Sequence, residues 1–174
     1  MKTVFFDIDT QIDFVYPAGA LYVPGAEQIL PLIAQLNRKA PMLISTMDAH
    51  SENDPEFQIY PHHCVVETVG QQKPAPTLIE KRDQQIIIEK QTFDCFSNSK
   101  LLPLLAELNA DRYVVYGVVT EICVRLALFG LLKTGKRVEL VTDAVKALDE
   151  NAANKMISEF LAAGGHQIQS TDLI

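Results

Sequence analysis

Five apolar runs and a weaker sixth, separated by stretches with helical spacing, constrain the fold of this chain more than any other feature. TVFFDI, PMLIST, QQIIIE, RYVVYGVV and RVELVT are rich in Val, Ile and Phe, and HQIQST follows as the weaker last run. Such runs suit strands buried on both faces. Between them GAEQILPLIAQLNRKA, SKLLPLLAELNA, EICVRLALFGLLKTG and DENAANKMISEFLAAGG space their apolar residues as helices do, and several end in Gly or Asn near a basic residue. Strands alternating with helices imply right-handed crossovers and a parallel sheet covered on both faces. The expected fold is therefore α/β, a three-layer doubly wound domain with a mostly parallel six-stranded sheet. With 174 residues, 48% of them hydrophobic, one domain can bury a full core.

The pattern lapses over residues 48–80, which have little periodicity, several prolines and three of the four histidines. A long irregular insertion rich in His and carboxylates favours function. The other informative positions are strand ends, because in open parallel sheets the ligand crevice lies outside the carboxyl ends of the strands. Asp9 ends the first strand, Asp48 follows the second, Lys90 ends the third, and the fourth runs into a helix carrying Cys123.

Thr120 is a candidate N-cap for that helix, which puts Cys123 in the first turn, where unpaired N–H groups favour a thiolate. A thiol merely packed beneath the helix would suit the same position. Lys90 and Asp9 tilt the balance: a cation to hold the thiolate and a carboxylate to carry its proton complete a covalent-catalysis set. Asp7, inside the strand, is assigned to structure. Cys64 and Cys95 read as buried or loop thiols, His166 as a surface residue, and EKRDQQ as a solvated turn.

With these residues in place, DIDTQIDF, EK followed by QTFDCF, and GVVTEICV resemble, in order and spacing, the three signatures of the isochorismatase-like cysteine hydrolases, in particular the nicotinamidase-like branch. The resemblance covers nearly the whole chain. It implies Asp9, Lys90 and Cys123 as catalytic residues, a cis peptide between Val118 and Val119, and an oxyanion hole from the backbone N–H groups of Val119 and Cys123. It also implies a divalent metal ion, zinc first with iron or manganese as alternatives, on Asp48, His50, Glu56 and His63. These donors suit such an ion, although a solvated polar loop would have the same composition. Because His62 replaces a usual proline, the choice between His62 and His63 stays open. Ile12 stands where Asn is usual and Glu67 where Gly is common.

The implied reaction converts nicotinamide to nicotinate and ammonia through a Cys thioester, a step of NAD salvage, with Phe14, Tyr60 and Phe96 as aromatic pocket wall. One alternative keeps the fold and changes the substrate to another amide or an N-carbamoyl compound. A second is a haloacid-dehalogenase-like phosphatase, suggested by Asp7 and Asp9 and needing Thr46, Lys90, Asp143 and Asp149; it leaves GVVTEICV and the His loop unexplained. The net charge of -7 and pI near 5.0 argue against nucleic acid or anionic membrane as partner and for a small molecule. The start of the chain lacks the pattern of a signal peptide and no run spans a bilayer, so a cytoplasmic enzyme is expected. The apolar RLALFGLLK helix could serve a homo-oligomer.

Overall fold

The computed structural model describes residues 1–80 and 83–174. The charged stretch read as a solvated turn includes residues 81 and 82, which lie outside the described residues. Six strands, β1 (Thr3–Ile8), β2 (Leu43–Asp48), β3 (Gln85–Lys90), β4 (Arg112–Val118), β5 (Arg137–Lys146) and β6 (His166–Ile168), form one sheet in the order β3-β2-β1-β4-β5-β6. Every pairing is parallel, so the sheet is wholly rather than mostly parallel. The helices are α1 (Ile12–Val15), α2 (Leu30–Lys39), α3 (Leu101–Leu108), α4 (Arg125–Leu132) and α5 (Glu150–Ala162).

Side chains alternate across each strand, and that alternation builds two cores. Val4, Phe6 and Ile8 of β1 pack with Leu101 and Leu105 of α3, Ala127, Leu128 and Leu131 of α4, and Met156 and Phe160 of α5. Phe5 faces the other way and joins Phe14, Ile29, Ile33 and Leu36, on the side of α2. Three helices thus cover one face and α2 covers the other, giving the three layers.

β1 and β4 lie side by side at the centre, where the strand order reverses direction, and their carboxyl ends open the crevice of a doubly wound sheet. Gly117 makes this close: it has φ +116°, and a Cβ there would stand 2.2 Å from the carbonyl oxygen of Ile8. Only glycine allows that approach.

Asp7 is fully buried on β1 and its carboxylate is saturated. Lys73 Nζ lies 2.9 Å away, Thr10 Oγ1 donates at 2.7 Å and Asn37 Nδ2 at 2.9 Å. Tyr116 donates in turn to Asn37 Oδ1 at 2.7 Å, tying β4 to α2. A buried ion pair holds only when its remaining lone pairs are satisfied, as here. This network pins the loop carrying Lys73 against β1 and α2.

Strand boundaries differ from the sequence reading in one consequential place. β2 ends at Asp48, so this residue belongs to the strand and does not follow it. Its backbone N–H donates to Gln11 Oε1 at 2.7 Å, and its carbonyl accepts from Gln11 Nε2 at 2.8 Å. The amide of Gln11 therefore prolongs the backbone ladder across the gap between the β1 and β2 ends.

Candidate active site

Asp9 follows β1 directly, in left-handed backbone at φ +49°. Its carboxylate is held at both oxygens: Thr46 Oγ1 donates to Oδ1 at 2.5 Å, and Lys90 Nζ lies 2.8 Å from Oδ2. Lys90 also donates to Asp48 Oδ1, so one buried ammonium bridges the ends of β1 and β2. Burial pulls the Lys90 pKa down, but Asp9, Cys123 and Asp48 outweigh it and hold the pKa well above the ordinary lysine value.

Cys123 lies in a π-helical turn, Thr120–Val124, that leads β4 into α4. Single π-helical turns are frequent at functional sites. Thr120 is not the N-cap the sequence suggested. Val119 takes that position, and the buried Thr120 hydroxyl has no hydrogen-bond partner. The Val118–Val119 peptide is cis. The Cys123 thiol is buried against Asp9 and close to Lys90. Burial pushes the thiol well above its ordinary range, against the pull of Lys90, and the Asp9 hydrogen bond adds to the rise. Burial likewise raises Asp9 above its ordinary 3.8, opposed by Lys90. A thiol and a carboxyl that both resist charging beside one fixed cation are arranged to pass a proton between them.

Asp48, His50 and His63 each place one ligand atom within 4.8 Å of the others, all buried. Glu56 stands at the border, with Oε1 3.7 Å from His63 Nε2, and forms a second such group with His50 and Asp54. The donor set fits a divalent cation. The Nδ1 atoms are taken, at 3.0 Å from Asp54 Oδ2 for His50 and 2.8 Å from the Pro61 carbonyl for His63, which turns each Nε2 toward the cluster. Among the described residues, His50 Nε2 and Glu56 Oε1 are buried without a hydrogen-bond partner, as atoms kept for a ligand would be. Burial works against charging His50, yet Asp48, Asp54 and Glu56 outweigh it and lift its pKa to about 9, a mark of a site that attracts cations. His62 points elsewhere: it is exposed and lies on the Phe57 ring at 4.3 Å between centroids.

A mostly apolar cavity joins the two halves. Asp9, Cys123, Val118 and Val119 line it together with Asp48 and His63, and Phe14, Leu21, Val23, Tyr60, Phe93, Ile122 and Leu148 complete its walls. Of the three aromatics expected there, Phe14 and Tyr60 are present and Phe96 is not. Asp94 accepts from the Phe96 backbone N–H at 2.9 Å and caps the short turn Cys95–Ser97, and this turn carries Phe96 over onto α4. There it fills the space a side chain at Gly130 would need, 2.1 Å from a Cβ built on that residue. Phe93 takes its place in the cavity, edge-on to Tyr60 at 6.0 Å. Two phenylalanines three apart look alike in sequence, and Asp94 as a turn cap is the signal that separates them. Thr46 and Gln11 were missed as supporting residues because their partners are 37 residues away in the chain, and Asp54 because its partner His50, four residues before it, is reached only through the loop's fold.

The residues a phosphatase would need are committed elsewhere. Asp7 is locked with Lys73, Asp143 accepts from Ser170, and Asp149 caps α5. Cys64 and Cys95 are buried, and burial raises both thiols, Cys95 to about 12. Glu67 takes φ +67°, so the turn that commonly uses glycine keeps its left-handed shape with a side chain in place.

Sheet order and crevice define an α/β domain of the isochorismatase-like hydrolase fold, and comparison with known proteins agrees. The isochorismatase domain family model matches residues 3–172, and the chain belongs to that family, in its nicotinamidase-like branch. It is a hydrolase of amide carbon–nitrogen bonds. A nicotinamidase of Acinetobacter baylyi is 27% identical, over 96% of this chain and 92% of its own length. Among solved structures, the pyrazinamidase of Pyrococcus horikoshii in complex with zinc is 29% identical with a TM-score of 0.87, covering 97% of this chain and 99% of its own. The L. infantum protein PnC1 in complex with nicotinate is also 29% identical, with a TM-score of 0.91 over 99% and 95% of the two chains.

Proposed function

We propose that the protein hydrolyses nicotinamide to nicotinate and ammonia, with Cys123 as nucleophile, Asp9 as proton carrier and Lys90 as the fixed cation between them. The observation that carries this reading is the meeting of these three groups beside an apolar cavity that Asp48 and His63 also line. Relatives that are nicotinamidases, and a similar structure holding nicotinate, support the choice of substrate.

Asp9 takes the proton of the Cys123 thiol as the sulfur attacks the carboxamide carbon. Lys90 keeps the exchange from creating an uncompensated buried charge, since the negative charge moves from carboxylate to sulfur beside the same ammonium. The backbone N–H groups of Val119 and Cys123 receive the carbonyl oxygen as it becomes an oxyanion, an interaction worth about 3 kcal/mol per donor. Asp9 then returns the proton to the leaving ammonia. With the amine gone, Asp9 in its base form activates a water that cleaves the thioester and frees the acid and the thiol. Thr46, holding the second carboxylate oxygen, fixes which oxygen of Asp9 faces the sulfur.

Asp48, His50, Glu56 and His63 would hold a divalent cation, with zinc the first candidate. When bound it supplies a Lewis acid for the ring nitrogen of the substrate. Phe14, Tyr60 and Phe93 orient the ring at about 1 kcal/mol per aromatic contact. The deciding experiment is ammonia release over a panel of primary amides and N-carbamoyl amines, with and without chelator. Turnover of nicotinamide that chelation removes is expected. Preference for a carbamoyl amine, or turnover indifferent to chelation, would overturn the substrate or the metal assignment respectively.

A further inference from the structure

The segment between β5 and α5 takes no part in the chemistry above, yet Leu148 from this segment lines the cavity. Its side chain is 55% exposed, so one side meets the cavity and the other meets solvent, which places it at the mouth. Two anchors hold it there. The backbone N–H groups of Leu148 and Asp149 both donate to Glu121 Oε1, at 2.9 and 2.8 Å. On the other side Asp149 caps α5, its Oδ1 accepting from the N–H groups of Asn151 and Ala152 at 2.8 and 3.1 Å.

Glu121 is two residues before Cys123 in the same π-helical turn. Paired N–H bonds to a carboxylate oxygen are charge-assisted and among the stronger hydrogen bonds. The position of Leu148 is thus tied to the turn that carries Cys123. Wall and sulfur form a gauge of set span, although they are 25 residues apart in the chain.

We propose that Leu148, positioned by Glu121, is a specificity-determining residue that limits how far a ring on the scissile carboxamide can extend from Cys123. It restricts the enzyme to carboxamides of one small ring; the assignment rests on the amidohydrolase reading above. With the carbonyl carbon at the sulfur, the ring lies in the apolar space between Phe14, Phe93, Ile122 and Leu148. The centre of a water molecule can move through about 70 Å³ of this cavity. That is a confined space, and Leu148 bounds it on the solvent side. Leu148 is the most exposed part of that boundary, so trimming it opens the cavity outward without touching the core.

The test compares kcat and KM for nicotinamide, 5-methylnicotinamide and quinoline-3-carboxamide in the parent, Leu148→Ala, Glu121→Ala and Glu121→Gln enzymes. Shortening Leu148 is expected to raise the kcat/KM of at least one enlarged amide relative to nicotinamide about tenfold, mainly through KM. Glu121→Ala is expected to do the same by freeing the segment. Glu121→Gln, which keeps an oxygen to accept both N–H groups, is expected to stay near the parent ratio. A parent active on nicotinamide whose ratios are unmoved by Leu148→Ala overturns the role of Leu148, and a ratio unmoved by Glu121→Ala overturns the tether. A parent inactive on every carboxamide overturns the functional reading itself, and this assignment with it. Should Glu121→Ala fail to fold, Leu148→Ala still decides the assignment of Leu148, because its side chain is largely in solvent.

Discussion

Cys123 and Asp9 are both harder to ionise in the fold than in water, and for the same reason: each is buried in an apolar crevice, with a single ammonium to offset the loss of solvent. Removing the nucleophile should therefore end turnover without removing a charge. Cys123→Ala is expected to lower ammonia release by more than about a thousandfold, with a melting temperature close to that of the parent; retained turnover would reject the thiol as nucleophile. The pH dependence follows from the direction of the Asp9 shift. Its carboxylate form is needed to accept the thiol proton, so kcat/KM should fall on acidification with an acid limb above the ordinary 3.8. For stability the sign is opposite. Between 3.8 and the raised value the native state binds a proton that the unfolded chain does not, so this group stabilises fully below 3.8 and its contribution is lost as pH rises. Relative to Asp9→Asn, the parent should lose stability as pH rises above the ordinary 3.8, measured by urea unfolding. The two phenylalanines divide in the same way between function and structure. Phe96→Ala should cost about 2 kcal/mol of stability with little effect on KM, and Phe93→Ala should raise KM with a smaller loss of stability.

At the scale of elements, the site depends on how closely β1 and β4 approach at their carboxyl ends. Gly117 permits this, since any Cβ would collide with the Ile8 carbonyl and the residue has a positive φ. Gly117→Ala is expected to destabilise by about 3 kcal/mol or more, read as a lower urea midpoint, because the obstacle is backbone and cannot swing aside. The strands and helices themselves were legible in the chain: continuous apolar runs marked the strands, and apolar spacing marked four of the five helices. The short α1 was not, because four residues carry no periodicity. The end of β2 was misplaced by two residues because its last residues, Met47 and Asp48, extend past the apolar run while still pairing with Glu89 and Lys90 of β3. The helix start at Cys123 was misread because a π-helical turn shifts the cap by one residue, and nothing in TEIC announces it.

Over the whole molecule, the end of β2 and the loop after it gather Asp48, His50, Glu56 and His63, and among the described residues His50 Nε2 and Glu56 Oε1 have no hydrogen-bond partner. A cation binding only the folded state stabilises it by mass action, about 2.7 kcal/mol at a hundredfold excess over Kd. The melting temperature of the chelated protein should therefore rise with added zinc, and His50→Ala should remove most of that rise; a melting curve indifferent to zinc would count against the site. The sequence by itself determined the layered α/β plan, because strand and helix periodicities are local, and it determined which residue types stand at the strand ends. It also carried the three short signatures that place the chain in its family. Tertiary structure alone decided which of these residues meet. Lys90 bridging Asp9 and Asp48, His63 rather than His62 in the cluster, Phe93 rather than Phe96 in the cavity and Leu148 tethered to Glu121 all join positions set by strand register, turn caps and burial. Such pairings depend on distances across the sheet, which no spacing along the chain records.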